Sequence, residues 1–364
     1  MPLDHFRTAL VIDEDPVRAA DRIAAELMSQ GCGGTIGFVY ITDRLNSGIE
    51  PVVASLRQKT GVANWIGTIG FGVISGRGAA YNQPAIAAMI GHWSPDQFKL
   101  FNGQSPSDVG HWADKGMATA IVHVDPRFPF DADLRQLAAT SRAYLFGGLT
   151  ASRARRFDQF ADGVTEGGAS GLMLGPDVEV AVGVSQGCSA IGPVRTITEM
   201  EDNMVTSLDG EPSLQALVRD LSVTPDGDIA KLLRSLHVGL PVPNCDTGDF
   251  VVRNFAGIDT DKGLIAIADH VEPGQKIFFC RRDRAAATKD LLAMAQKLRK
   301  RTATVRGGLY VTCCARGPNL FDSATEEAEL LQSALGDVPL VGFFANGEVA
   351  GDRIYGYTGV LALF

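Results

Sequence analysis

No stretch of the 364 residues approaches the ~20 consecutive apolar positions that cross a bilayer. Nor does Met1-Pro2-Leu3-Asp4-His5 carry the basic and then apolar regions of a secretion signal. The expectation is a cytoplasmic protein without a membrane partner. Positive charge is also scarce: 33 Lys and Arg face 42 Asp and Glu, and the net charge of -9 argues against a nucleic-acid backbone as partner. The basic run Lys297 to Arg301 falls at the end of a helical segment, where cations favour the helix dipole. The six cysteines include no C-x-x-C pair, so reduced, mostly buried thiols are expected. The six histidines never fall in a pair spaced for one helical face, and no metal site is indicated. There is no P-loop, and Gly70 to Gly76 lacks the spacing of a dinucleotide fingerprint.

What is present describes a folded, turn-rich chain: 45% apolar, 21% charged, with 41 glycines and 17 prolines. Its length exceeds the roughly 250–300 residues at which one core stops growing, so two lobes are expected. Asp15, Pro16 and the spacing of Val17, Ile23, Ala24 and Leu27 predict a helix that Gly31 ends. A strand is expected over Thr35 to Thr42, a short helix over Val52 to Leu56, and a hairpin with strands Ser170 to Leu174 and Val178 to Val184. Helices are read over Leu214 to Leu221, Ile229 to Leu236 and Ala285 to Lys300, and Ser323 with Glu326 suggests a capping box. Gly61 to Gly76 can be laid without a gap on Gly336 to Gly351, so that Gly67 meets Gly342 and Ile74 meets Val349. The expected fold is therefore α/β, with two similar lobes of mixed β-sheet, flanking helices and an internal duplication. Residues 1–211 and 212–364 form the two expected domains, divided at the break Asp209-Gly210-Glu211-Pro212.

Gly183-Val184-Ser185-Gln186-Gly187 matches a nucleophile elbow, but Gly192-Pro193 breaks the helix that an elbow needs. Cys188 and Cys313 lie in glycine-flanked turns, and His123 and His237 are the basic partners that thiol chemistry would need. Each histidine is flanked by apolar residues and reads as core. Cys313-Cys314-Ala315-Arg316-Gly317 and Asn346-Gly347-Glu348 stand at expected strand exits, where open α/β sheets hold ligands. Arg316 offers a fork for a carboxylate, and Asn346 and Glu348 offer acceptors for an amine, a set that suits an amino acid. Alternatively, Arg316 and Glu348 pair with each other.

With Phe146-Gly147-Gly148, the block Ser185-Gln186-Gly187-Cys188 through Pro193, Asn203, Leu208-Asp209-Gly210, Cys313 through Gly317 and Phe343 through Glu348, the chain resembles the FIST domain family over nearly its whole length. That family occurs in bacterial signal-transduction proteins and in an F-box subunit of ubiquitin ligases. The resemblance implies an N-terminal and a C-terminal FIST domain and a stand-alone sensory function for a small molecule such as an amino acid. Output would pass through a separate partner, for example a histidine kinase. The expected ligand-binding residues are Gln186, Cys188, Asn203, Cys313, Arg316, Gly317, Asn346, Gly347 and Glu348. No catalytic residue and no cofactor is expected. The alternative is a haem-binding nitric-oxide sensor regulating a histidine kinase, with His92, His111 or His123 as axial ligand.

Overall fold

Asp15 accepts hydrogen bonds from the N–H groups of Val17 and Arg18, Pro16 follows in the first turn, and Ala19, Ala20, Ile23, Ala24 and Leu27 form one buried stripe. The predicted first helix forms for the predicted reasons. It is one element of a mixed α/β fold whose computed structural model describes residues 5–45, 48–76, 78–102, 112, 114, 116–128, 130–202, 204–221, 236–242 and 248–364. The backbone divides into two compact units, Met1–Ser185 with Thr288–Phe364, and Gln186–Ala287.

The larger unit repeats one succession of elements three times. The first copy is β1 (Arg7–Ile12), α1 (Pro16–Ser29), β2 (Ile36–Thr42), α2 (Glu50–Thr60), β3 (Asn64–Gly70), the hairpin β4 (Gly72–Ser75) and β5 (Gly78–Tyr81), then β6 (Ala85–Gly91). The second is β7 (Phe98–Phe101), β8 (Thr119–Val124), α3 (Phe130–Ser141), β9 (Tyr144–Leu149), the hairpin β10 (Gln159–Ala161) and β11 (Gly163–Thr165), then β12 (Ala169–Leu174). The third begins at β13 (Ala181–Ser185) and is interrupted by the smaller unit.

That unit is built from β14 (Cys188–Ala190), β15 (Arg195–Glu201), β16 (Met204–Leu208), β17 (Glu211–Pro212), α4 (Ser213–Leu221), β18 (Leu236–Pro241), β19 (Phe250–Asp259), β20 (Leu264–Ile267) and β21 (Lys276–Arg282). These strands form one antiparallel sheet, and the break at Asp209 to Pro212 is a turn between β16 and β17 within it. The predicted helix over Ile229 to Leu236 lies mostly outside the described residues; its last residue, Leu236, opens β18. The third copy then resumes with α5 (Arg284–Arg301), β22 (Gly308–Cys313), α6 (Glu326–Leu335), β23 (Leu340–Ala345), the hairpin β24 (Glu348–Ala350) and β25 (Arg353–Tyr355), and β26 (Gly359–Leu363).

In every copy two strands are parallel across a helix (β2 with β3, β8 with β9, β22 with β23), and a later strand returns antiparallel to the first of them. Each hairpin leaves its own copy and adds to the sheet of another: β4 pairs with β23, β10 with β3 and β24 with β9. The exchange covers three sheet edges that would otherwise present unpaired backbone. The register coincides: Gly67, Gly147 and Gly342 stand opposite Val39, Val122 and Tyr310 on one side and Phe160, Val349 and Ile74 on the other. At each of these glycines a Cβ would run into the neighbouring strand's carbonyl oxygen, so only glycine fits. The duplication read between Gly61–Gly76 and Gly336–Gly351 is thus a structural repeat, and a further copy escapes the gapless comparison because its hairpin residue Phe160 lies 13 positions past Gly147, against seven from Gly67 to Ile74 and from Gly342 to Val349.

Two local expectations are corrected. β12 and β13 do not form a hairpin: β12 pairs with β7 and β8, whereas β13 pairs with β26 in another sheet, although the turn bond from Val178 to Gly175 is present. Ser323 does not cap α6. Thr325 holds the cap position, and the Glu326 carboxylate reaches back to the N–H of Asp322. The three sheets meet along their inner faces, where the Tyr40 hydroxyl contacts His123 Nε2 at 3.1 Å, the Tyr40 ring stacks on Phe343 at 4.9 Å, and Thr68 bonds Thr150 at 2.7 Å.

Candidate functional site

The threefold repeat supplies internal controls. Thr42, Asp125 and Cys313 hold equivalent positions where β2, β8 and β22 end, each three residues past the residue facing the buried glycine. In the first copy Thr42 accepts from Ala85 N–H and the following Asp43 is held by the backbone and guanidinium of Arg153. In the second, Asp125 accepts from Arg127 and from Gly167 N–H. In the third copy the equivalent residues are the thiols Cys313 and Cys314.

The hairpin positions diverge likewise. Val73, Gln159 and Glu348 each precede the residue facing the buried glycine, and all three are fully buried. Val73 is apolar, and the Gln159 amide is satisfied by Ser170 and the Gly168 carbonyl. Glu348 is different: its Oε2 accepts from the N–H and hydroxyl of Thr358, but Oε1 has no hydrogen-bond partner among the described residues. Burial, and next the neighbouring Cys313, push the Glu348 carboxyl well above the ordinary carboxylate range.

Arg316 is also fully buried. Its Nε donates to Glu327 at 2.8 Å, its Nη1 reaches the Ser185 carbonyl at 3.5 Å, and its guanidinium lies over Phe321. Burial opposes the charge, but the Glu327 carboxylate beside it raises the Arg316 pKa. Glu327 accepts further bonds from Tyr310, Thr312 and Gly317 N–H, which makes it the hub that sets Arg316. The ion pair anticipated between Arg316 and Glu348 is therefore replaced by one to Glu327. Among the described residues Arg316 Nη2 keeps no partner, and neither does the buried Oγ of Ser185. A donor, an acidic oxygen and a hydroxyl thus remain unused in the dry interior of the third copy, where each costs on the order of 1–3 kcal/mol unless a partner arrives.

Around them, Cys314 donates through Sγ to Asn346 Oδ1 at 3.6 Å. Tyr81 and Asn319 hold the Cys314 carbonyl, at 3.2 and 2.7 Å. Six expected site residues, Cys313, Arg316, Gly317, Asn346, Gly347 and Glu348, thus gather at the ends of β22 to β24. Gln186 and Cys188 lie in the smaller unit, where Gln186 bonds the Phe250 carbonyl and Cys188 contacts Cys280. Asn203, like His111, lies outside the described residues. Among the residues that sequence reasoning missed, Glu327 carried no signal beyond polarity, and Tyr81 and Arg153 come from other copies of the repeat. His123 is buried inside β8 against Tyr40, and His92 is half-buried. An open groove of about 430 Å³ lies elsewhere, lined by Asn64, Phe98, Lys99, Phe101 and Asp162, and contains none of the expected site residues.

Sequence comparison matches residues 35–211 to the FIST N domain and residues 213–351 to the FIST C domain. The chain belongs to the FIST family. FIST domains are associated with sensing and signal transduction. An uncharacterized protein of Mycobacterium tuberculosis (strain CDC 1551 / Oshkosh) is 31% identical over 377 aligned residues, which cover 96% of this chain and 97% of that protein. An uncharacterized protein of Mycobacterium bovis is 28% identical over 369, covering 95% and 93%. The vicinal thiols, Arg316 and Glu348 all fall within the FIST C match. No helix among the described residues is long and apolar enough to cross a membrane.

Proposed function

We propose that this FIST protein is a sensor that holds a small polar molecule, an amino acid or a similar small acid, at the ends of β22 to β24 and signals through a separate partner such as a histidine kinase. The observation that carries this reading is the pair of unused atoms, Arg316 Nη2 and Glu348 Oε1, on two fully buried side chains. Arg316 donates, Glu348 donates while it holds its proton, and a ligand carboxylate is the acceptor that satisfies them together. Because Glu327 already neutralises Arg316, the site need not discharge a full cation, and recognition rests on hydrogen bonds. A ligand amine at Glu348 would instead draw the proton off the carboxyl. Signalling requires that the ligand prefer one of two conformations, since binding both equally shifts nothing.

The test is a thermal-shift and calorimetric screen of the full chain against amino acids and small carboxylic acids. At a ligand concentration one hundred times Kd, stabilisation is about 2.7 kcal/mol. A selective rise in melting temperature that Glu348→Gln weakens is the expected result. If wild type and Glu348→Gln respond alike to every hit, the ligand does not sit at this carboxyl and the reading fails.

A further inference from the structure

Cys313 and Cys314 are neighbours in sequence at the end of β22, one buried and one partly exposed. Their thiols are within hydrogen-bond reach of each other. Cys313 is enclosed, and Ala315 and Tyr357 donate backbone N–H bonds to its sulfur. Cys314 reaches solvent beside Asn346 and the Arg153 guanidinium. The Cys313 thiol donates to Cys314, which pushes its own pKa up and lowers that of Cys314; Arg153 adds to the lowering, while burial and Glu348 oppose it. The arrangement separates the roles of a redox pair: an accessible sulfur that ionises first, and a protected sulfur that keeps its proton.

We propose that Cys313 and Cys314 are a hydroperoxide-responsive dithiol in which Cys314 is attacked first and Cys313 resolves it to a vicinal disulfide. The Cys314 thiolate attacks the terminal oxygen of a hydroperoxide; the S–O bond forms as the O–O bond breaks, and the departing alkoxide or hydroxide takes a proton from solvent to leave as alcohol or water, with Cys314 as the sulfenic acid. The Cys313 sulfur then attacks the Cys314 sulfur, its proton leaves with the hydroxyl as water, and the two-electron oxidation is complete. Adjacent α-carbons lie about 3.8 Å apart, shorter than the usual disulfide span, so this bond is strained and readily reduced by a thiol, as suits a switch. It would also remove the Cys313 proton beside Glu348 and stiffen the turn that leads to Arg316. The proposal is independent of the identity of the small ligand.

The experiment treats the full chain with stoichiometric hydrogen peroxide, quenches with an alkylating reagent, and maps the peptides. The expected product is the Cys313–Cys314 peptide unalkylated, lighter by two hydrogens and restored by dithiothreitol. In Cys313→Ser, Cys314 is expected to accumulate as sulfenic acid captured by a 1,3-dione. In Cys314→Ser, oxidation of Cys313 slows by at least roughly tenfold. Cys188 and Cys280, in contact in the smaller unit, and the exposed Cys32 serve as internal comparisons. Oxidation confined to Cys32, a Cys188–Cys280 disulfide formed in place of the vicinal one, or equal rates at Cys313 with and without Cys314 would overturn the proposal. The wild-type map is decisive even if a variant fails to fold.

Discussion

Replacing Glu348 by glutamine isolates the energetic consequence of burying an acid with one oxygen unused. The carboxyl is fully enclosed, and its pKa is raised by burial and then by Cys313. In the unfolded chain a glutamate ionises near the ordinary value of about 4.3. Between that value and the raised folded one, the folded protein binds the extra proton, so stability falls as pH rises through this window and is greatest below it. Each pH unit inside that window costs up to about 1.4 kcal/mol. Glutamine keeps the shape and an acceptor for Thr358 but does not titrate. Urea unfolding of wild type and Glu348→Gln at pH 4.5 and pH 7.5 is the assay. The variant should match the wild type within about 1 kcal/mol at the lower pH and exceed it at the higher, so that the gap between the two widens with pH. A difference that does not depend on pH, or a variant less stable at pH 7.5, would refute the reading of Glu348 as a buried acid whose pKa folding raises.

Two further outcomes follow from the same interior. Glu327→Ala strands the buried Arg316 cation and removes the acceptor of Tyr310 and Thr312, so a loss of about 3–5 kcal/mol is expected by denaturant unfolding; a loss under about 1 kcal/mol would show that Arg316 finds another partner. Burial lowers the pKa of His123 to about 3, so the unfolded chain takes up a proton that the folded one refuses, and stability is lost as pH falls from about 6.5 towards 3. His123→Gln should flatten that acid limb in urea titrations, and an unchanged limb would mean that His123 is not its source.

Much of the local architecture was legible because its causes are local. Asp15 and Pro16 announce α1, and the apolar runs of β2 and β22 read as strands buried on both faces. The glycine register from Gly61 to Gly76 also survives into the structure, since a residue that must lie against a neighbouring carbonyl can only be glycine. The hairpin over residues 170–184 was misread because a turn signal states that the chain reverses but not which sheet receives the next strand. The capping box at Ser323 placed the right acid in the right turn with the wrong partner.

For the site, the sequence by itself determined that Cys313 to Gly317 and Asn346 to Glu348 stand at strand ends, because composition and period define where a strand stops. Only the tertiary structure decided that Arg316 is neutralised by Glu327 rather than by Glu348, and that Glu348 Oε1 and Arg316 Nη2 remain unused. It likewise brought Tyr81 from the first copy of the repeat and Arg153 from beyond the second copy's β9 to Cys314. The physical reason is that hydrogen-bond satisfaction and burial belong to a side chain's neighbours in space, and in this fold those neighbours arrive from three copies of a motif whose hairpins cross into one another's sheets.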